Sequence, residues 1–505
     1  MIRRRRYNRR IVTTAILLLG TMPEHWCWLQ DAVMISVQRT RCPDGIIDAT
    51  LLCCSIGSSL DDGDNRDIAS LKDWALENGI QLNGVELVRE MDNGEWGVKL
   101  ATNPLVGSGN GKEPVMTIPN QVILSSEMLP KPELRSLAYH SLVAHKMEQY
   151  LPEFSLFLVL LQEVEKEDHS FWYAWLSSLP RSFDIGVCFD ELETAYARKL
   201  GMGNYLDHQH GQWQAFEASL RDIFPGHAQD AHKVKWAFSV VLTRSWRAGF
   251  RNAKQENRPI ANLVPMGDMF NHRASATVSV KQDADDCPVT VHLKQQSLVD
   301  DTTSVEEEME SVDNGLYLNY GFSENPERFL IVFGFADTSS PRICATSIRD
   351  LFVGGDHDEN GLISWRSMGF QDSSKLVLYC QDGGISNTLW NAVLFQVIQS
   401  NLRNHPDNLQ YQCDWKIFHT TCTNLEILDT LSNDDFLGLH QKYRQEVVDF
   451  LRRHVEDLLT NQFGPLPDFS GEDLLAHPRL AMLLDYHLFM RSVYQKVHHG
   501  LLSDS

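Results

Sequence analysis

The sequence predicts an α+β fold: a β-rich core interrupted by a helical insertion, followed by an all-α C-terminal domain. Three observations carry this. Between about 84 and 126 the chain runs in short apolar pieces, GVELV, WGVKLA, VMTIP and VILSS, separated by Gly, Asn and Pro, which is the pattern of strands. From about 128 to 240 the apolar residues come instead in longer runs such as SLFLVLLQEV and VKWAFSVVLTRSWRAGF, as in buried helices. Strand-like pieces return at TVSV, VTVHL, LYLNYGF and RFLIVFGFAD, and beyond about 345 long amphipathic helices take over.

In chain order, the first ten residues, MIRRRRYNRR, hold six Arg and no acid, and the apolar run Ala15-Ile16-Leu17-Leu18-Leu19 follows. A bilayer span takes roughly 20 apolar residues, so no stable membrane insertion is expected. Residues 1–35 read as a targeting segment, with a plastid or mitochondrial address favoured over a cytoplasmic one. Residues 36–69 end in SSLDDGDNRD and read as a linker. The stretch LKDWALENGI starts a short helix that Asn78-Gly79 stops. The β-rich domain then spans 70–340, with its helical insertion at about 128–240, and the helical domain spans 345–505. In that last part Leu439, Tyr443, Val447 and Leu451 recur four apart on one helix, with Ser432 and Asp435 as its capping pair. Ser470 and Asp473 open a second such helix.

A formal charge of −22 understates the acidity of the body, because without the first ten residues 39 basic side chains face 67 acidic ones, a balance of −28. Phosphate binding wants a basic field, which argues against nucleic acid as the main partner. A basic protein or peptide suits the charge better. The ten cysteines are scattered, with no C-x-x-C, so neither a zinc ribbon nor a thioredoxin-like pair is expected. The stretch VGSGNGKEP resembles a phosphate loop only faintly, since Val106 and Glu113 break the pattern and a turn between strands explains it better.

The chemistry-bearing segment is VPMGDMFNH, residues 264–272, which sets Asp268, Asn271 and His272 among apolar neighbours. Buried polar groups in such company must be hydrogen-bonded or hold a ligand. Asp268 and His272 stand four apart, but no further His or carboxylate lies close in sequence, so no metal is expected. A second segment, LYLNYGFSENPERFLIVFGFAD, offers Tyr320 beside Gly321 and an apolar strand closing on Phe333-Gly334-Phe335. LTRSW places Arg244 at the end of an apolar helix, and GEWGVKLAT is a Gly-bounded turn where backbone can approach a ligand.

These four pieces, in this order, resemble the SET-domain methyltransferases. The branch they resemble has a split SET domain and includes the Rubisco large-subunit lysine methyltransferases and the actin-histidine methyltransferase. The resemblance covers the chain from about 70 to its end. It implies a SET domain with a pseudoknot and a C-terminal substrate-binding domain of the Rubisco-methyltransferase type, and S-adenosylmethionine as cofactor. It also implies Tyr320 as catalytic residue, and cofactor contacts from Arg244, Asp268, Met269, Phe270, Asn271, His272, Phe333, Gly334 and Phe335. Trp96 and Gly97 match the family's first cofactor turn, and Glu127 is a further contact.

The implied reaction is methyl transfer to a lysine of a non-histone protein by a monomeric enzyme. No cluster of cysteines follows Tyr320, where histone-directed SET enzymes often carry zinc-binding ones, which favours the non-histone branch. Histidine transfer on the same machinery is the variant, and a catalytically silent SET protein that binds other proteins is the other class. Gly267 stands where the actin-histidine enzyme has a Trp, and the missing bulk favours lysine. The stretch from Asp283 to Asp313 carries the acidic runs DADD, VDD and VEEEME, read as an insertion or as a lip for a basic substrate.

Overall fold

The computed structural model describes residues 66–89, 96–101, 113–226, 230–248, 259–282, 287–294, 314–321, 324–344, 376–422 and 434–503. The expected targeting segment, most of the linker, Gly94, Glu95, Ser432, the body of the 106–114 turn and all three acidic runs lie outside these residues.

Thirteen short strands are defined among the described residues: β1 Gln81–Leu82, β2 Val85–Arg89, β3 Trp96–Leu100, β4 Met116–Ile118, β5 Leu124–Ser125, β6 Ser245–Ala248, β7 Ile260–Leu263, β8 Asn271–His272, β9 Val278–Lys281, β10 Val289–Leu293, β11 Gly315–Leu318, β12 Arg342–Cys344 and β13 Val377–Tyr379. They form sheets ordered β1-β4-β10-β9, β2-β3-β11-β8 and β5-β7-β6, plus the pair β12-β13. The first three sheets interleave strands from before and after the helical insertion, so the two halves of the β-rich region fold as one. All pairings are antiparallel except β8 with β11, where Tyr317 sits opposite Asn271 and Leu318 opposite His272. That one parallel contact brings the polar segment against the strand leading to Tyr320.

Helix α1 is Ile68–Glu77; Asp67 caps it by accepting the Ser70 N–H, and Gly79 at φ +82° follows its end. The insertion holds α2 Pro132–Ala144, α3 Leu151–Glu165, α4 Tyr173–Ser178, α5 Glu191–Lys199, α6 Gly203–Ile223 and α7 Ala231–Arg244. α3 is buried almost all round, which is why its sequence shows a run rather than a stripe. α7 stops at Arg244, and the SWRA that the sequence reading continued as helix is β6.

A second difference is larger. RFLIVF, the body of the expected strand RFLIVFGFAD, lies in the helix α8 Pro326–Phe333. Asn325 caps it by accepting the Arg328 N–H, Pro326 takes the first turn, and Gly334 ends it in the left-handed region at φ +81°. A Cβ at Gly334 would stand 2.9 Å from the Asp184 carbonyl carbon, so only glycine fits the stop. The β-branched and aromatic residues suggested a strand, but the two end signals outweigh them.

The C-terminal helices are α9 Asn387–Asn404, α10 Leu409–Cys422, α11 Asp434–Asp457, α12 Gly471–Ala476 and α13 Arg479–Ser503. The stripe Leu439, Tyr443, Val447, Leu451 on α11 is buried as expected. The Ser470–Asp473 capping box is present but opens only the six-residue α12, because Pro478 disfavours helix at His477 and the long helix starts afresh at Arg479.

Apolar side chains gather in two cores. One joins α1, the sheets and most of the insertion. The other is built from the C-terminal helices but also recruits Phe189, Tyr196, Leu200, Leu206, Leu330 and Ile331. Polar contacts follow the same seam: Tyr196 Oη lies 2.7 Å from His487 Nδ1, and His477 Nδ1 2.6 Å from Asp190 Oδ2. No described helix is long and apolar enough to cross a membrane.

Candidate functional site

After β7 the chain makes a tight turn through Met266, a non-glycine residue at φ +68° with its side chain fully buried. Such a conformation costs on the order of 1–3 kcal/mol and persists only where the surroundings enforce it. The turn delivers Asp268 into the interior with a fully buried side chain. Its Oδ2 accepts the Trp175 Nε1–H from α4 at 3.2 Å and lies 3.5 Å from Arg244 Nη1 at the end of α7. Arg244 Nη1 also donates to the Asp268 carbonyl at 2.8 Å. Among the described residues, Asp268 Oδ1, Arg244 Nε and Trp96 Nε1 are buried with no hydrogen-bond partner. Burial pushes the Asp268 carboxyl above the usual carboxylate range, and Arg244 and Trp175 only partly offset that.

Met269 and Phe270 continue the segment inward, and Asn271-His272 form β8 beside β11. The Tyr320 hydroxyl donates to the Phe270 carbonyl at 2.6 Å. The Tyr320 N–H donates to His272 Nδ1 at 3.1 Å. Rings crowd around this point: His272 lies 5.2 Å from Tyr320, 4.5 Å from Phe329 and 6.1 Å from Phe335, and Tyr320 lies 5.2 Å from Phe333. The α8-Gly334 turn thus places Phe329, Phe333 and Phe335 on one aromatic wall, a task the sequence reading gave to a strand.

Most of the anticipated residues therefore meet. Arg244, Asp268, Met269, Phe270, Asn271, His272, Tyr320, Phe333, Gly334 and Phe335 occupy one neighbourhood. Trp96 and Gly97 join it through β3, which packs on the Gly267–Met269 turn and on β8. The Glu127 side chain turns instead to Arg135, at 2.6 Å, and stands half exposed.

Sequence reasoning missed Trp175, Phe329 and Asp337, whose Oδ2 lies 2.8 Å from His272 Nε2. The aromatic cluster FWYAWLSSLP held a signal for Trp175; for Asp337 there was none. Gly267 has close neighbours. A Cβ there would meet Trp246 Cη2 at 2.8 Å and Val264 Cγ1 at 3.0 Å, so an indole from β6 already fills the room that looked vacant. Among the described residues no group of three or more His, Cys, Asp or Glu is placed to hold a metal ion.

No family model matches the chain. Its curated relatives are distant. The actin-histidine N-methyltransferase of Gallus gallus is 25% identical over 210 residues, covering 39% of this chain and 33% of that protein. The Homo sapiens protein of the same name is 24% identical over 223 residues, covering 42% and 35%. The chain thus spans about a third of the length of the curated relatives it matches. Among solved structures it is similar to the SET domain of LSMT bound to lysine and AdoHcy, with a TM-score of 0.47 and 13% identity over 86% of this chain and 91% of that one. It is likewise similar to Rubisco LSMT bound to AdoMet, with a TM-score of 0.46 and 12% identity over 87% and 92%. The sequence relatives are of the group that the motifs resemble.

Proposed function

We propose that this chain is a protein N-methyltransferase that takes its methyl group from S-adenosylmethionine and has a lysine of a non-histone protein as acceptor. The observation that carries the reading is the pair of unmatched buried atoms, Asp268 Oδ1 and Arg244 Nε, on two side chains already in contact. The cofactor's amino-acid end brings an ammonium and a carboxylate, and these two atoms are their complements. Trp96 Nε1 supplies a third unmatched donor nearby.

When bound, the cofactor supplies a methyl group on a positively charged sulfur. The rings of His272, Tyr320, Phe329, Phe333 and Phe335 would attract such a cation. The Tyr320 hydroxyl donates a hydrogen bond to the Phe270 carbonyl, which leaves the oxygen's lone pairs to accept from approaching groups. There it would accept C–H···O contacts from the methyl group, each worth about 0.5–1 kcal/mol, and help to orient it for in-line displacement. Losing water around the acceptor would cost its strongly hydrated ammonium most, so a closed site would favour the neutral amine that must attack.

Histidine as acceptor has support of its own: the named relatives are actin-histidine enzymes, and Trp246 restores the bulk that Gly267 lacks. The discriminating experiment incubates the full chain with tritium-labelled S-adenosylmethionine and peptide arrays centred on Lys or His, then identifies the methylated amino acid. Methyllysine supports the first reading and methylhistidine the second. In either case Tyr320→Phe is expected to slow transfer by about 100-fold or more. Undiminished transfer by that variant contradicts the role given to Tyr320.

A further inference from the structure

Asp337 follows the Phe333-Gly334-Phe335 turn, and its side chain is as deeply buried as that of His272, at 2% and 1% exposure. Its Oδ2 faces His272 Nε2. Its Oδ1 accepts the Ser339 N–H at 3.0 Å and the Ser339 hydroxyl at 2.6 Å. Ser339 Oγ in turn accepts the Ala274 N–H at 3.0 Å, two residues beyond His272. Burial pushes this carboxyl up, but the bonds from His272 and Ser339 outweigh it and hold Asp337 below the usual carboxylate range.

An ionised carboxylate only accepts, so the ring nitrogen facing it must carry the proton. Nε2 is then N–H and Nδ1 presents a lone pair, and it is Nδ1 that receives the Tyr320 N–H. The opposite tautomer would set one N–H against another at the Tyr320 contact and a bare ring nitrogen against a carboxylate oxygen at the Asp337 contact. Rotating the ring is no escape, because Tyr320, Phe329 and Phe335 pack around it.

We propose that Asp337 is a positioning residue for Tyr320: by fixing the His272 tautomer it anchors the Tyr320 backbone, and with it the hydroxyl bound to the Phe270 carbonyl. Its bearing on catalysis rests on the methyltransferase reading above; the relay itself does not. The shape-matched variant Asp337→Asn exposes the mechanism. Ser339 offers two donors to one oxygen of residue 337, so the new amide keeps its oxygen there and turns its NH2 toward His272. The ring must then accept at Nε2 and move its proton to Nδ1, which breaks the bond to the Tyr320 amide.

The test uses the full chain labelled with 15N-histidine. Long-range proton–nitrogen spectra report each imidazole's tautomer, and His272 is assigned by the signal lost in His272→Gln. The wild type is expected in the Nε2–H form and Asp337→Asn in the Nδ1–H form. Amide exchange read by mass spectrometry should speed up at Tyr320 by about tenfold in that variant. Ser339→Ala, which leaves the carboxylate in place, should retain the wild-type tautomer. A wild-type His272 in the Nδ1–H or doubly protonated form at neutral pH overturns the proposal, as does unchanged Tyr320 protection in Asp337→Asn. No methyl donor or acceptor enters these measurements, so their failure leaves the methyltransferase reading standing, and the failure of that reading leaves them interpretable.

Discussion

Two buried aspartates, one in each core, are treated in opposite ways. Asp414, on α10, receives the Gln410 amide at 3.0 Å on one oxygen, and the Lys442 ammonium and the Tyr443 hydroxyl on the other. Burial would push it up, but those donors win and hold it below the usual carboxylate range. Among the described residues, the side-chain donors to Asp268 reach Oδ2 and leave Oδ1 unmatched, and burial pushes the carboxyl up. A fold that saturates one interior carboxylate has the means to saturate another. On the proposed reading, the shortfall at Asp268, beside a strained Met266 and an unmatched Arg244 Nε, is where the cofactor would complete the set of partners.

Substitutions separate the two roles. The largest effect on folding is expected at Asp414. Asp414→Ala strands Lys442 and Tyr443 at the α10–α11 contact and should cost about 3 kcal/mol, read as a lowered midpoint in urea unfolding. Asp268→Asn keeps an acceptor for Trp175 and removes a poorly solvated charge, so its stability at neutral pH should stay within about 1 kcal/mol of wild type.

The pH dependences should differ in sign. The folded-state pKa of Asp414 is depressed, so its contribution is present above the ordinary carboxylate range and is lost as the pH falls through the folded value. The folded-state pKa of Asp268 is raised, so its contribution is complete below the ordinary range and is lost as the pH rises through the folded value. Asp414→Asn should therefore flatten the acid limb of the stability profile, while Asp268→Asn should steepen it. Unfolding curves between pH 3 and 7, on the order of the carboxylate range, measure both. Parallel shifts in the two variants would remove the contrast.

The same contrast shows what the sequence could and could not reveal. The stripe Leu439, Tyr443, Val447, Leu451 was legible because one helix face meets one core, and period alone reports that. The strands of the two β halves were legible as short apolar pieces bounded by turn residues, although their interleaving across the insertion was not. RFLIVF was misread because propensity spoke for a strand while Asn325, Pro326 and Gly334 spoke for a helix, and the ends decided. In the site, residues carried by one motif, Asp268 to His272, could be named from the chain. Trp175 was hinted at only by its aromatic cluster and Asp337 not at all, because their contacts span 93 and 65 residues and no local pattern encodes those pairings. Gly267 teaches the complement: an absent side chain in sequence is no vacancy in space when Trp246 occupies it.

The central claim, that Asp268 is left short of partners so that a ligand can complete it, is tested most directly by calorimetric titration. S-adenosylmethionine is titrated into the full chain as wild type, Asp268→Asn and Asp414→Asn. The account predicts binding by the wild type, an affinity lower by about 10- to 100-fold in Asp268→Asn, and near wild-type affinity in Asp414→Asn, as expected for losing one charge-assisted contact at the seat. Equal affinity in wild type and Asp268→Asn, or no binding by a folded wild type, would contradict it.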